Sequence, residues 1–79
     1  MKAKVEVFLK PGVLDVQGKA IEGALHSLGF SDAAHVRVGK TIELDLGATD
    51  RAAAEAQAKA MAEQLLANTV IESYRVEVG

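Results

Sequence analysis

The chain has 79 residues and a formal net charge of −2 at pH 7. This length suits one domain, which we expect to span residues 1–79. The absence of cysteine excludes disulfides, thiolate nucleophiles and iron–sulfur clusters. The small negative charge gives no electrostatic reason to expect nucleic acid or an anionic membrane as a partner. No signal peptide or membrane-spanning stretch is visible, so we expect a cytoplasmic protein.

The first two elements have clear sequence signals. Residues 2–9 alternate in polarity, which predicts a strand with Val5, Val7 and Leu9 on one face. Pro11-Gly12 breaks this strand, and Asp15 is a suitable N-cap for the helix that follows. That helix is predicted from about 15 to 28, with Gly29 just after its end. Its apolar stripe is formed by Ala20, Ile21, Ala24, Leu25 and Leu28.

The second half of the chain predicts a hairpin, a helix and a strand. Residues 36–38 and 42–46 alternate on either side of Gly39-Lys40-Thr41, which is typical of a β-hairpin. Thr49 or Asp50 caps an alanine-rich helix. Residues 70–78 form the last strand, with Tyr74, Val76 and Val78 inward. The core stripe of the second helix is predicted to be Ala58, Met61, Ala62, Leu65 and Leu66.

This order of elements predicts an α+β fold of the ferredoxin-like βαββαβ type, with two helices on one face of a four-stranded antiparallel sheet. The opposite face then has no helix of its own. It would be either a solvated face or a polar protein interface with Phe8 as its apolar anchor. Exposed strand edges also favour pairing with a second copy. The residues predicted on this face are Glu6, Phe8, Arg37, Glu43, Asp45, Ser73, Arg75 and Glu77.

A search for catalytic groups finds none. His26 and His35 lack the spacing of a metal site. Ser27 and Ser31 flank a helix end, and no serine lies in a nucleophile elbow. The carboxylates occupy helix starts and exposed faces, where nothing raises a pKa for acid catalysis. We therefore predict no catalytic residue, no metal and no cofactor.

The loop from Lys10 to Gly18 is the most unusual segment, and three interpretations of it remain open. It could cap the helix, contact a partner, or bind an anion at the helix N-terminus, although Asp15 would repel an anion there. An acylphosphatase would need an arginine in this loop, and there is none. An RNA-binding sheet would need several outward aromatic residues, and only Phe8 is predicted outward.

Several stretches taken together resemble the PurS family, the small subunits of phosphoribosylformylglycinamidine synthase. The G-V-L-D-x-Q-G-x-A segment is the most specific part of the resemblance. The sequence departs from the family at Val16 and Thr69, where proline is usual, and valine loses only the pre-organisation that proline gives a first helical turn. The resemblance covers nearly the whole chain, at residues 9–20, 24–30, 36–40 and 65–74.

The resemblance implies a role in purine biosynthesis. Members of the family act with a glutaminase subunit and an ATP-dependent synthetase subunit, which convert formylglycinamide ribonucleotide, glutamine and ATP to the formylglycinamidine ribonucleotide. The small subunit, as a homodimer or a higher oligomer, bridges them and supports ammonia transfer. The alternative is a ligand-sensing regulatory module of ACT type. The predicted partner contacts are Lys10, Gly12, Asp15, Gln17, Gly18, Arg37, Gly39 and Lys40.

Overall fold

The computed structural model describes residues 1–79. The chain forms three strands and two helices, and a short π-helical turn, Ala62–Leu66, continues the second helix. In chain order, the elements are β1 (Lys2–Leu9), α1 (Val16–Ser27), β2 (Gly39–Asp45), α2 (Arg51–Met61) and β3 (Glu72–Val78).

The strands make one antiparallel sheet in the order β2-β1-β3. Val5 lies opposite Ile42 on one side and opposite Val76 on the other. Ala3, Val5 and Val7 are buried because alternate side chains of β1 point to one face, where they meet α2. The prediction of a small α+β ferredoxin-like fold with an antiparallel sheet is confirmed.

Helix α2 covers the central part of the sheet through small side chains. Ala54, Ala58 and Ala62 have no exposed surface, and their spacing of four places them on one side of the helix. Alanine lets the helix backbone approach the strands closely. Two residues predicted for this stripe, Met61 and Leu65, are instead 39% and 83% exposed. The π-helical turn inserts an extra residue per turn, and this rotates Leu65 away from the sheet.

The predicted hairpin at Gly39-Lys40-Thr41 is wrong. These three residues run straight along β2, and residues 36–38 form no strand. Lys40 pairs with Val7 and Gly39 with Phe8, so these residues extend along β1 instead of forming a local turn. Glycine is required here because a Cβ atom at position 39 would lie 2.8 Å from the carbonyl oxygen of Val7. The sheet therefore has three strands, not the four expected.

Helix α1 forms where the sequence predicts it, but it contributes no residue to the hydrophobic core. The chain is elongated as a result, with a radius of gyration of 15.8 Å and extents of 49 × 24 × 14 Å. A compact chain of this length would have a radius of gyration of about 12 Å. Neither helix combines the length and the apolar character that crossing a membrane would require.

Candidate functional site

The side chain of Asp15 connects the start of α1 to the start of β2. It is 5% exposed, and its two oxygens accept different hydrogen bonds. Oδ1 accepts the backbone N–H of Gly18 at 2.7 Å, which caps α1. Oδ2 accepts the backbone N–H of Val38 at 2.8 Å, just before β2. Of the three interpretations of this loop, the structure shows the helix cap.

The environment of Asp15 favours its ionised form. The N–H of Val38 contributes most to lowering the pKa of this carboxyl, followed by the N–H of Gly18. Burial acts in the opposite direction, and the Arg37 guanidinium, with Nε 4.0 Å from Oδ2, lowers the pKa further. The ionised carboxylate would repel an anion at this position. It also already accepts the backbone N–H groups of Gly18 and Val38, which an anion would need as donors.

Arg37 holds the loop after β1 in place. Its guanidinium donates hydrogen bonds to the carbonyl oxygens of Val13 and Leu9, each at 3.3 Å, and of Lys10 at 3.4 Å. The side chain remains 46% exposed. The Arg37 side chain therefore joins the segment before β2 to the end of β1 and to the loop that follows it.

Two glycines shape the same region. A Cβ atom at Gly18 would lie 2.5 Å from the carbonyl oxygen of Val36 and 2.9 Å from Cγ of Asp15, so only glycine fits there without a shift. Gly12 has a φ of 88°, in the left-handed region that favours glycine. Lys10 donates through Nζ to the carbonyl oxygen of Thr69 at 2.8 Å.

The eight predicted contact residues therefore gather at one end of the sheet, but they differ in exposure. Asp15 and Gly18 are buried and structural. Lys10 is half-buried, and the other five are exposed. Beside them is a groove of about 380 Å³, and its lining includes Leu14, Val16, Gln17, Gly39 and Lys40. Contact of this end with a partner stays a prediction.

The polar face of α1 forms hydrogen bonds with the segment of residues 30–38, which we call the strap. Glu22 accepts the backbone N–H of Val36 at 3.3 Å, and His26 donates through Nε2 to the carbonyl oxygen of Ala33 at 2.6 Å. The Val36 N–H contributes most to lowering the pKa of Glu22, against the effect of burial. These two contacts were not predicted from the sequence, where their only signal is the four-residue spacing of Glu22 and His26.

Much of the apolar surface along α1 is left uncovered by its own chain. Val16 is 71% exposed, Leu28 73% and Ile21 39%. Further along the chain, Leu65 and Val70 are 83% and 81% exposed. So much exposed aliphatic surface on a small domain is typical of a region that another protein chain covers.

The sheet face opposite α2 carries cross-strand ion pairs. Lys4 Nζ lies 3.7 Å from a carboxylate oxygen of Glu43, and Arg75 pairs with Glu6. Phe8 is 43% exposed on this face, as predicted from the alternation of β1. No group of three or more His, Asp or Glu side chains in residues 1–79 is arranged to hold a metal ion.

Fold and surface together define a small α+β domain whose apolar surface is open to another chain. A family model described as PurS, phosphoribosylformylglycinamidine (FGAM) synthase, matches residues 2–79. The chain belongs to the PurS family. This result favours the PurS resemblance over the ACT-type alternative.

Individual relatives agree with the family match. The Bacillus subtilis phosphoribosylformylglycinamidine synthase subunit PurS is 51% identical over 77 residues, which cover 98% of this chain and 90% of that protein. The crystal structure of Methanocaldococcus jannaschii PurS has a TM-score of 0.90 and 35% identity, covering 99% of this chain and 94% of that one. A chain of the Thermotoga maritima PurLQS structure has a TM-score of 0.87 and 32% identity, covering 96% and 93%.

Proposed function

We propose that this chain is the non-catalytic small subunit of a cytoplasmic phosphoribosylformylglycinamidine synthase in purine biosynthesis. It bridges the glutaminase and the ATP-dependent synthetase subunits and supports the transfer of ammonia between them. The observation that carries this proposal is the match of residues 2–79 to the PurS family. The similarity to a chain of the Thermotoga maritima PurLQS structure supports an assembly of the same kind.

The chemistry explains why such an assembly needs a subunit without catalytic groups. Ammonia released from glutamine is small and is easily lost to water. Its delivery requires two active sites held in a fixed relative position, with solvent excluded between them. A small domain can provide that position through shape and contact alone. The exposed end that carries Gly12, Gln17, Arg37, Gly39 and Lys40 is the surface that we assign to these larger subunits.

The surface area supports a homodimer as the unit that assembles. The chain exposes 5480 Å². A compact monomer of 8.3 kDa would expose about 4,600 Å². The excess of about 900 Å² is close to the roughly 800 Å² that each partner buries in a stable interface.

The uncovered surfaces of one chain also match those of a second copy. Helix α1 has an apolar face without a sheet, and β2 has an inner face, at Ile42 and Leu44, that is only half-buried. The 12 residues of α1 span about 18 Å and the 7 residues of β2 about 23 Å, so the two surfaces are of similar length. A two-fold pair would place each α1 on the partner's β2 and cover both at once.

Sedimentation of the full chain over a range of concentrations tests the homodimer. Leu28→Lys places a charge in the exposed apolar surface at the C-terminal end of α1 and should raise the dimer dissociation constant at least about tenfold. Gly23→Lys is the matched control because a Cβ atom there meets nothing within 4 Å and the residue lies on the other side of α1. A wild-type chain that stays monomeric, or equal effects of the two variants, would contradict the homodimer.

Affinity purification of the tagged chain from native lysate tests the assembly. We expect a glutaminase and a large ATP-dependent synthetase to be recovered together, identified by mass spectrometry. Adding the purified chain to those two subunits should increase glutamine-dependent FGAM formation, while the chain alone should have no such activity. Recovery of neither subunit, or no effect of the chain on their combined activity, would contradict the proposed function.

A further inference from the structure

The segment Gly39-Lys40-Thr41 is compatible with two conformations. Its composition and the alternating residues on either side are typical of a hairpin turn. In the structure the same residues are an extended part of β2, paired with Phe8, Val7 and Glu6 of β1. A segment that is a turn in one arrangement and a strand in another has the properties of a hinge.

We propose that residues 39–41 are a hinge between an open and a closed form of this chain. The open form is the one described here, with α1 and the strap directed away from the sheet. In the closed form, the chain turns at residues 39–41 and also in the loop between β1 and α1. Residues 36–38 then pair with residues 42–44, and α1 covers the sheet of its own chain. This inference rests on the proposed homodimer, since a second copy is what would cover α1 in the open form.

The two forms exchange contacts of similar kind. Closing breaks the three pairings of residues 39–41 with β1 and forms a similar number between residues 36–38 and β2. Val36 and Val38 are β-branched and suit a strand. Closing also lets α1 cover Ile42 and Leu44, which the open chain leaves half-buried. The backbone pairings lost and gained are thus similar in number, as in packings of one sequence that exchange.

The Arg37 side chain favours the open form. Its hydrogen bonds to the carbonyl oxygens of Leu9 and Lys10 place residue 37 beside the end of β1. In the closed hairpin, residue 37 would lie on the far side of β2, about 10 Å from β1, because neighbouring strands are about 4.8 Å apart. Closing therefore pulls Arg37 away from these oxygens. Asp15 adds to the same restraint through the Val38 N–H.

A pair of introduced cysteines detects the closed form directly, because the natural chain has none. In a hairpin that turns at residues 39–41, Val38 and Ile42 face each other with Cα atoms about 5 Å apart. Along the extended chain they are about 13 Å apart, too far for a disulfide, which needs Cα atoms within about 7 Å. We expect Val38→Cys/Ile42→Cys to form an intramolecular disulfide under mild oxidation, seen by mass spectrometry, and to form it faster as the chain is diluted.

Three variants control this result. Val38→Cys/Leu44→Cys is out of register in the hairpin and should form no intramolecular disulfide. Arg37→Ala added to the first pair should speed disulfide formation about tenfold, as the loss of three exposed hydrogen bonds allows. Arg51→Ala removes a comparable bond, from a guanidinium to the carbonyl oxygen of Val78 at the other end of the sheet, and should leave the rate unchanged. Equal rates for both cysteine pairs, or no effect of Arg37→Ala, would overturn the hinge.

Hydrogen exchange on the unmodified chain gives a second test that needs no variant. Residues 39–41 should exchange faster on dilution, relative to residues 74–78 of β3, because only the former lose their pairing on closing. A ratio of exchange rates between the two segments that stays constant at all concentrations would contradict the hinge. Sedimentation of the same samples reports the homodimer separately, so a hinge without a dimer, or a dimer without a hinge, can be distinguished.

Discussion

Asp15 accepts a hydrogen bond from the backbone N–H of Val38 at 2.8 Å, although 23 residues separate them in sequence. The same carboxylate caps α1 through Gly18. One side chain thus fixes both the start of α1 and the entry to β2. Since α1 contributes nothing to the hydrophobic core, polar contacts of this kind set the direction in which the helix leaves the sheet.

Replacing Asp15 should cost more stability than replacing the other helix cap. Asp50 caps α2 by accepting the N–H groups of Ala52 and Ala53 near the surface, and Asp50→Ala should cost about 1 kcal/mol. Asp15→Ala leaves two N–H groups without an acceptor at a buried site and breaks a long-range contact as well. Urea unfolding of both variants measures the difference. An equal loss in the two would mean that the Val38 contact adds nothing.

The stability of the chain should fall at acid pH in a way that depends on Asp15. Its pKa is lower in the folded chain than the ordinary value of about 3.9. The ionised form therefore contributes stability above about pH 4, and this contribution is lost as the pH falls through the lowered pKa. Asp15→Asn should be less stable than wild type at neutral pH, and the difference should shrink toward pH 2. A difference that stays constant across urea unfolding curves over this range would contradict the assignment.

Two glycines of the same helix should respond in opposite directions to alanine. At Gly23 a Cβ atom meets nothing within 4 Å, so Gly23→Ala should stabilise the chain by about 0.5–1 kcal/mol. At Gly18 the Cβ atom would lie 2.5 Å from the Val36 carbonyl oxygen, and Gly18→Ala should cost about 2 kcal/mol despite its better helix propensity. Thermal unfolding followed by circular dichroism separates the two. Stabilisation by both changes would show that Gly18 is not tightly packed.

Local sequence signals were sufficient for β1 and for both helix starts. The alternation of Val5 and Val7 and the caps Asp15 and Asp50 act over a few residues, and each appears in the structure where it is predicted. The π-helical turn that exposes Leu65 has no comparable local signal. The identity of the residue alone does not tell whether a helix gains an extra residue in its last turn.

The hairpin and the position of α1 could not be predicted because they depend on competition between distant segments. Gly39 and Lys40 are suited to a turn, yet pairing with Phe8 and Val7 keeps them extended. The contact residues were predicted as one group, and the structure does bring them to one end of the sheet. Sequence could not separate the buried, structural Asp15 from the exposed Lys40, since both follow strand-breaking positions and both are polar.

The hydroxyl of Tyr74 donates a hydrogen bond to a carboxylate oxygen of Glu63 at 2.7 Å. This bond, with a smaller effect of burial, raises the pKa of Tyr74 above the ordinary value for tyrosine. Stability from the neutral hydroxyl is therefore fully present below about pH 10 and is lost as the pH rises through the raised pKa.

The chain has one tyrosine and no tryptophan, so the ultraviolet absorbance of tyrosinate reports this group alone. Glu63→Gln removes the negative charge beside the hydroxyl and should lower the pKa of Tyr74 toward its ordinary value. Glu55→Gln is the matched control, because Glu55 lies two turns earlier, in α2, and makes no bond to Tyr74. An unchanged titration in Glu63→Gln would show that the carboxylate does not accept this bond, and the connection between the π-helical turn and β3 would then rest on packing alone.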